Sequence, residues 1–113
     1  MSFVLKQSTT YTWPVTVEYP VDGGRTEKST FDGEFKRLPQ SRIKEITAAV
    51  EANELTDVDI AEEVLVGWSG VSDGADEIPF SQSALAQLLE VPLVASAIVM
   101  AFFNSLTGAK RKN

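Results

Sequence analysis

A chain of 113 residues with 43% hydrophobic and 23% charged residues has the composition of a folded protein and fits one domain with a real but modest core. Its formal charge of −6 argues against a duplex nucleic-acid binder, which needs a basic stripe to displace counterions from phosphates. It has no cysteine, which removes disulfides and thiolate chemistry, and no histidine, which removes the commonest general base and metal ligand at neutral pH.

Residues 1–9 show no firm period and read as a loose lead-in. Met1-Ser2-Phe3-Val4-Leu5-Lys6 lacks the basic region, long apolar core and cleavage site of a secretory signal, so the expected location is cytoplasmic, in a bacterial host once the family resemblance below is considered. From Tyr11 the chain alternates: Tyr11, Trp13, Val15, Val17 and Tyr19 against Thr12, Pro14, Thr16 and Glu18, the period of a strand with one buried face. Pro14 cannot donate to a ladder and predicts an edge strand. Asp22-Gly23-Gly24 supplies a tight turn, and a second alternating run carries Phe31 and Phe35. The pattern predicts a hairpin whose aromatic face holds Tyr11, Trp13, Tyr19, Phe31 and Phe35. A lone hairpin is marginal in water, so that face must pack on helices.

Pro39 and Ser41 open a predicted helix to about Asn53, with Ile43, Ile46 and Val50 on its apolar stripe. Thr56-Asp57-Val58-Asp59 has capping-box spacing and predicts a second helix whose stripe is Ile60, Ala61, Val64, Leu65 and Trp68, ended by Gly67 and Gly70. A loop from Ser69 to Phe80 leads to a third helix that begins after Ser81 or Ser83 and presents Leu85, Leu88 and Leu89. Pro92 breaks it and is expected at an early position of a fourth helix, which runs to about Leu106 and stops at Gly108. Val91 to Phe103 holds only Pro92 and Ser96 outside the aliphatic, Met and aromatic residues, so this helix has no obvious polar face and wants partners on every side. Its clean part falls short of the roughly 20 apolar residues that cross a bilayer, which favours a buried or oligomerising helix over a membrane span. Lys110-Arg111-Lys112 reads as a solvated basic tail.

The candidate chemistry is thin. Asp57, Asp59, Glu62 and Glu63 are the densest carboxylates, but their place at a helix start reads as a dipole-complementing cap ahead of a metal or acid/base site. Asp73-Gly74-Ala75-Asp76-Glu77 lacks the alternating ligands and terminal glutamate of a calcium loop and reads as an exposed polar loop. Ser69, Ser81 and Ser83 have no histidine to act as base, and Asp22-Gly23-Gly24-Arg25 has neither the context nor the signature of a phosphate loop. No catalytic residue, cofactor site or metal site is assigned, and a non-enzymatic protein is expected. Trp68 at the end of an apolar stripe reads as core ahead of a binding hot spot. For the apolar last helix, self-association or partner binding weighs about as much as simple burial.

The second half carries a resemblance. Trp68-Ser69-Gly70-Val71, an acidic loop with Gly74 closing on Pro79-Phe80, a short Leu-rich helix stopped before Val91-Pro92, and an Ala-rich apolar helix together resemble the tail assembly chaperones of long-tailed bacteriophages over roughly Ile60 to Phe103. The resemblance implies a protein that binds the tape measure protein and keeps it soluble, helps to recruit tail tube subunits, forms a homo-oligomer, and is absent from the finished virion. It also implies, in some members, a frameshifted extended form, a property of codons that an amino-acid sequence does not display. Neither a nucleic-acid nor a membrane partner is expected. The contact residues it suggests here are Trp68, Val71, Phe80, Leu93, Met100 and Phe103. The competing reading is a structural tail or head-tail joining subunit retained in the virion. The expected architecture is α+β, an amino-terminal β-hairpin or small antiparallel sheet packed against three to four helices. As one domain it divides into the lead-in 1–9, the hairpin 10–38, a helical part 39–107 and the basic tail 108–113.

Overall fold

The computed structural model describes residues 2–108; the basic tail lies outside the described residues. Strands β1 (Thr10–Val21) and β2 (Arg25–Lys36) form an antiparallel hairpin in continuous register, from Thr10 opposite Lys36 to Val21 opposite Arg25. Gly23 and Gly24 close the turn at φ 86° and 74°, angles that a residue with a Cβ rarely adopts. Helices α1 (Gln40–Glu51) and α2 (Asp57–Val64) follow, then a short strand β3 (Leu65–Ser69), α3 (Gln82–Leu89) and α4 (Val94–Thr107). The sheet order is β1-β2-β3, all antiparallel, so the fold is α+β as expected.

Every other residue of the hairpin faces the helices. Val15, Val17, Phe31 and Phe35 are buried on that face, with Tyr11, Trp13 and Tyr19 packed partly buried around them. Helix α4 crosses β1 and packs on α2, inserting Val94, Ile98, Ala101 and Phe102. Ile46 of α1, Ile60, Ala61 and Val64 of α2, Leu65 of β3, and Leu85 and Leu89 of α3 complete one contiguous core. Phe35 stands at its centre, 6.0 Å from the Tyr11 ring and 5.9 Å from that of Phe102. No polar or charged residue among those described is buried in it.

The local signals at several ends match the structure. Thr56 Oγ accepts from Asp59 N at 3.2 Å while an Asp59 carboxylate oxygen accepts from Thr56 N at 3.0 Å, the reciprocal capping box. Ser81 caps α3 through the Ala84 amide, and Gly108 ends α4 at φ 73°. Pro14 sits on the edge strand.

Three expectations are corrected. The stripe Ile60, Ala61, Val64, Leu65 and Trp68 is not one helix: α2 ends at Val64, and Leu65 to Trp68 belong to β3, so residues 39–107 are not wholly helical. Two influences outweigh the helical period. Val66 is β-branched, and Gly67 lets β3 lie close to β2 where a Cβ would press on the Glu34 side chain. Leu65 and Trp68 then meet Phe35 and Gly33 across the ladder, with a register shift between Glu34 and Phe35. Next, Val50 is exposed, and Ile46 is the residue of α1 that enters the core. Last, Pro92 precedes α4 instead of lying inside it, because Leu93 adopts a left-handed conformation at φ 76° and starts the helix only at Val94.

Gly33 faces inward and has no room for a side chain: a Cβ would stand 3.0 Å from Leu65 Cδ1 and Phe35 Cε2, and 3.2 Å from Val15 Cγ2. Gly33→Ala should therefore cost about 1–3 kcal/mol by overpacking, and Phe102→Ala about 3–5 kcal/mol by leaving a cavity. Urea unfolding measures both; an unchanged midpoint for Phe102→Ala would contradict the placement of the core.

Candidate functional site

The packing of α4 divides it into two faces. Residues 94, 98, 101 and 102 point into the core, which leaves Leu93, Ser96, Ala97, Met100 and Asn104, at helical spacings of three and four, toward solvent beside β1. Leu93 is 50% exposed and Met100 60%. With Thr16 and Glu18 of β1 they line a shallow groove of about 200 Å³, and Met100, Ala97 and Asn104 continue along Trp13 and Pro14. Half of a helix expected to be hidden on all sides is thus on the surface. Leu93 adds a second anomaly: a bulky residue holds a positive φ at an exposed position where glycine would relieve the backbone.

The other suggested contact residues form a separate cluster. Trp68 is partly buried, its Nε1–H donates to the Ile78 carbonyl at 2.8 Å, and its ring meets Phe80 at 4.8 Å and Phe31 at 6.4 Å, both edge-on. The ring thus staples the loop after β3 to the sheet. Within that loop the Ile78 amide donates to Val71 O at 2.8 Å, and Asp73 Oδ1 accepts from the Ala75 and Asp76 amides at 3.0 and 2.9 Å. Those amide bonds hold the Asp73 carboxyl below its ordinary pKa, so its oxygens serve the turn. Val71 lines a second groove with Phe31, Leu88 and Val91. Phe103 packs on Phe102 at 5.4 Å, partly buried. Of the six residues, then, Trp68, Phe80 and Val71 gather at the β3 loop, Leu93 and Met100 share the α4 surface, and Phe103 lies against the core. Thr16, Ser96 and Ala97 complete the α4 groove; stepping three and four residues from Leu93 would have found the last two.

The carboxylates serve structure. Glu63 and Arg42 form a two-pronged pair, Nε to Oε2 at 2.8 Å and Nη2 to Oε1 at 2.7 Å, tying α1 to α2, and Arg42 also reaches Glu45 at 3.1 Å. The hydrogen bonds from Arg42 hold the Glu63 carboxyl below its ordinary pKa, and those from Thr56 do the same for Asp59. Among the described residues no group of three or more acidic side chains is placed to hold a metal ion. Among the described residues no single helix is long and apolar enough to cross a membrane; α3 and α4 meet at 107°.

The fold and its surface define a small α+β protein with shallow apolar grooves. The family model described as phage tail assembly chaperone matches residues 1–113, and the chain belongs to that family. No curated protein and no solved structure matches it.

Trp68→Phe keeps a smaller aromatic ring but removes the indole N–H bond to Ile78, and should speed exchange of the Ile78 amide about tenfold, the effect of losing roughly 1–1.5 kcal/mol locally. Unchanged exchange would show that Trp68 does not hold the loop. Because the folded-state pKa of Glu63 is depressed, its contribution to stability is present above its ordinary value of 4.5 and is lost as pH falls through the folded value. The penalty of Arg42→Met should accordingly be larger near about pH 7 than near about pH 3 in urea titrations. An equal penalty at both would remove the ion pair as its cause.

Proposed function

We propose that this protein is a non-enzymatic tail assembly chaperone that binds the tape measure protein, shields it before assembly, and assists recruitment of tail tube subunits, working as a homo-oligomer in the bacterial cytoplasm. Family membership supports the class. The observation that carries the binding reading is the outer face of α4, where Leu93 and Met100 stand in solvent along a groove whose inner neighbours are already committed to the core. Retaining leucine at a left-handed position costs backbone energy, and an apolar contact with a partner offsets that cost. A helical client laid along this face would bury both side chains at once. The net charge of −6 keeps such a complex soluble and matches a chaperone that avoids nucleic acid. Trp68, Val71 and Phe80 form the second contact cluster at the β3 loop, and Phe103 supports the helix from beneath.

Leu93→Gly should raise stability by up to about 1 kcal/mol, since glycine adopts the left-handed conformation without strain. The same change should weaken pull-down of the tape measure protein, as should Met100→Asp at unchanged fold. Binding that survives both substitutions would remove α4 as the contact face. Particle composition separates the chaperone from a retained subunit: the chaperone is absent from purified virions.

A further inference from the structure

The two edges of the sheet are treated differently. Alternate residues of a strand present their N–H groups to the same edge, so Pro14 and Pro20 both remove donors from the outer edge of β1, a device that blocks strand addition. The opposite edge has no such protection. β3 covers only Asp32 to Phe35 of β2 before Gly70 turns the chain away, and Arg25 to Thr30 pair with β1 alone. Six residues of open strand edge therefore run beside an apolar groove of about 280 Å³ lined by Val17, Tyr19, Phe31, Val71, Leu88 and Val91.

The described residues also include an apolar segment left in solvent. Phe3 is 80% exposed and Leu5 92%, with Val4 between them. As a strand, Ser2 to Gln7 would place Phe3 and Leu5 on one face and Val4 and Lys6 on the other. It matches the open edge in length.

We infer that residues 2–7 of one chain add as a strand to the Arg25–Thr30 edge of a second copy, with Phe3 and Leu5 in its groove. The exchange is between molecules because of reach. At about 3.3 Å per residue Leu5 lies at most about 17 Å from Thr10, while Val17 and Tyr19 are about 23 and 30 Å along β1, before any turn back is made. An arm passed from copy to copy is a heterologous contact, which builds rings or open filaments. This rests on the homo-oligomer proposed above and specifies its joint.

Light scattering across a concentration series on the wild type and on the Phe3→Ser/Leu5→Ser variant, whose altered side chains are exposed, gives the first test. Association by the wild type with a monomeric, equally stable variant supports the joint. Association by both proteins ends the arm proposal and leaves self-association standing, and a wild type monomeric throughout ends both. Cysteine placement tests geometry, since the chain has no native thiol. Tagged Leu5→Cys chains mixed with Val91→Cys chains should form the mixed disulfide at least about tenfold faster than with Leu106→Cys chains, through raised effective concentration. Equal rates would place the arm elsewhere and overturn the inference.

Discussion

The contact between the inner face of the hairpin and helix α4 is the constraint on which the remaining structure depends. Two strands cannot hold themselves together in water, and this pair presents Val15, Val17, Phe31 and Phe35 on one face. Phe102 meets Phe35 there with both side chains fully buried, and Gly33 leaves the space that lets these rings and Leu65 close up. Once Val94, Ile98, Ala101 and Phe102 are turned inward, helical geometry puts Leu93, Ala97 and Met100 outward. The exposed apolar face is thus a direct consequence of covering the sheet with a helix that is apolar nearly all round. That outer face is mixed, with Ser96 and Asn104 among Leu93, Ala97 and Met100.

Much of this was legible from residue order. Alternation located β1 and β2 and named their buried face, and the capping box at Thr56, the serine before α3 and the glycine after α4 set helix ends within a residue or two. Strand β3 was not legible, because Ile60, Ala61, Val64, Leu65 and Trp68 satisfy the helical period; Gly67 beside Glu34 is a long-range fact that no local pattern contains. The exposed side of α4 was hidden for the opposite reason. Apolar residues on all faces leave periodicity without a direction, so which face the sheet covers is known only once β1 is in place. The left-handed Leu93 is likewise invisible in sequence, since leucine is the wrong residue to suggest it.

The two clusters differ in how they are built. Around Trp68 the aromatic rings, the Ile78 carbonyl and the amides of the Asp73 turn satisfy one another, so this loop is a fixed feature that shapes the groove beside β2. On α4 the side chains of Leu93 and Met100 remain 50% and 60% exposed among the described residues. Strain and exposure coincide at Leu93, and it is on this coincidence that the proposed contact face rests. The guarded β1 edge and the open β2 edge show the same selectivity, since only one side of the sheet is closed to further strands.

Methionine-methyl NMR reads the central claim most directly, because the chain has only two methionines and Met100 lies on the outer face of α4. Titrating a soluble segment of the tape measure protein should shift and broaden the Met100 methyl resonance while the buried Ile98 methyls stay in place. Saturation binding with an unmoved Met100 signal would contradict the account and return that face of α4 to the solvent.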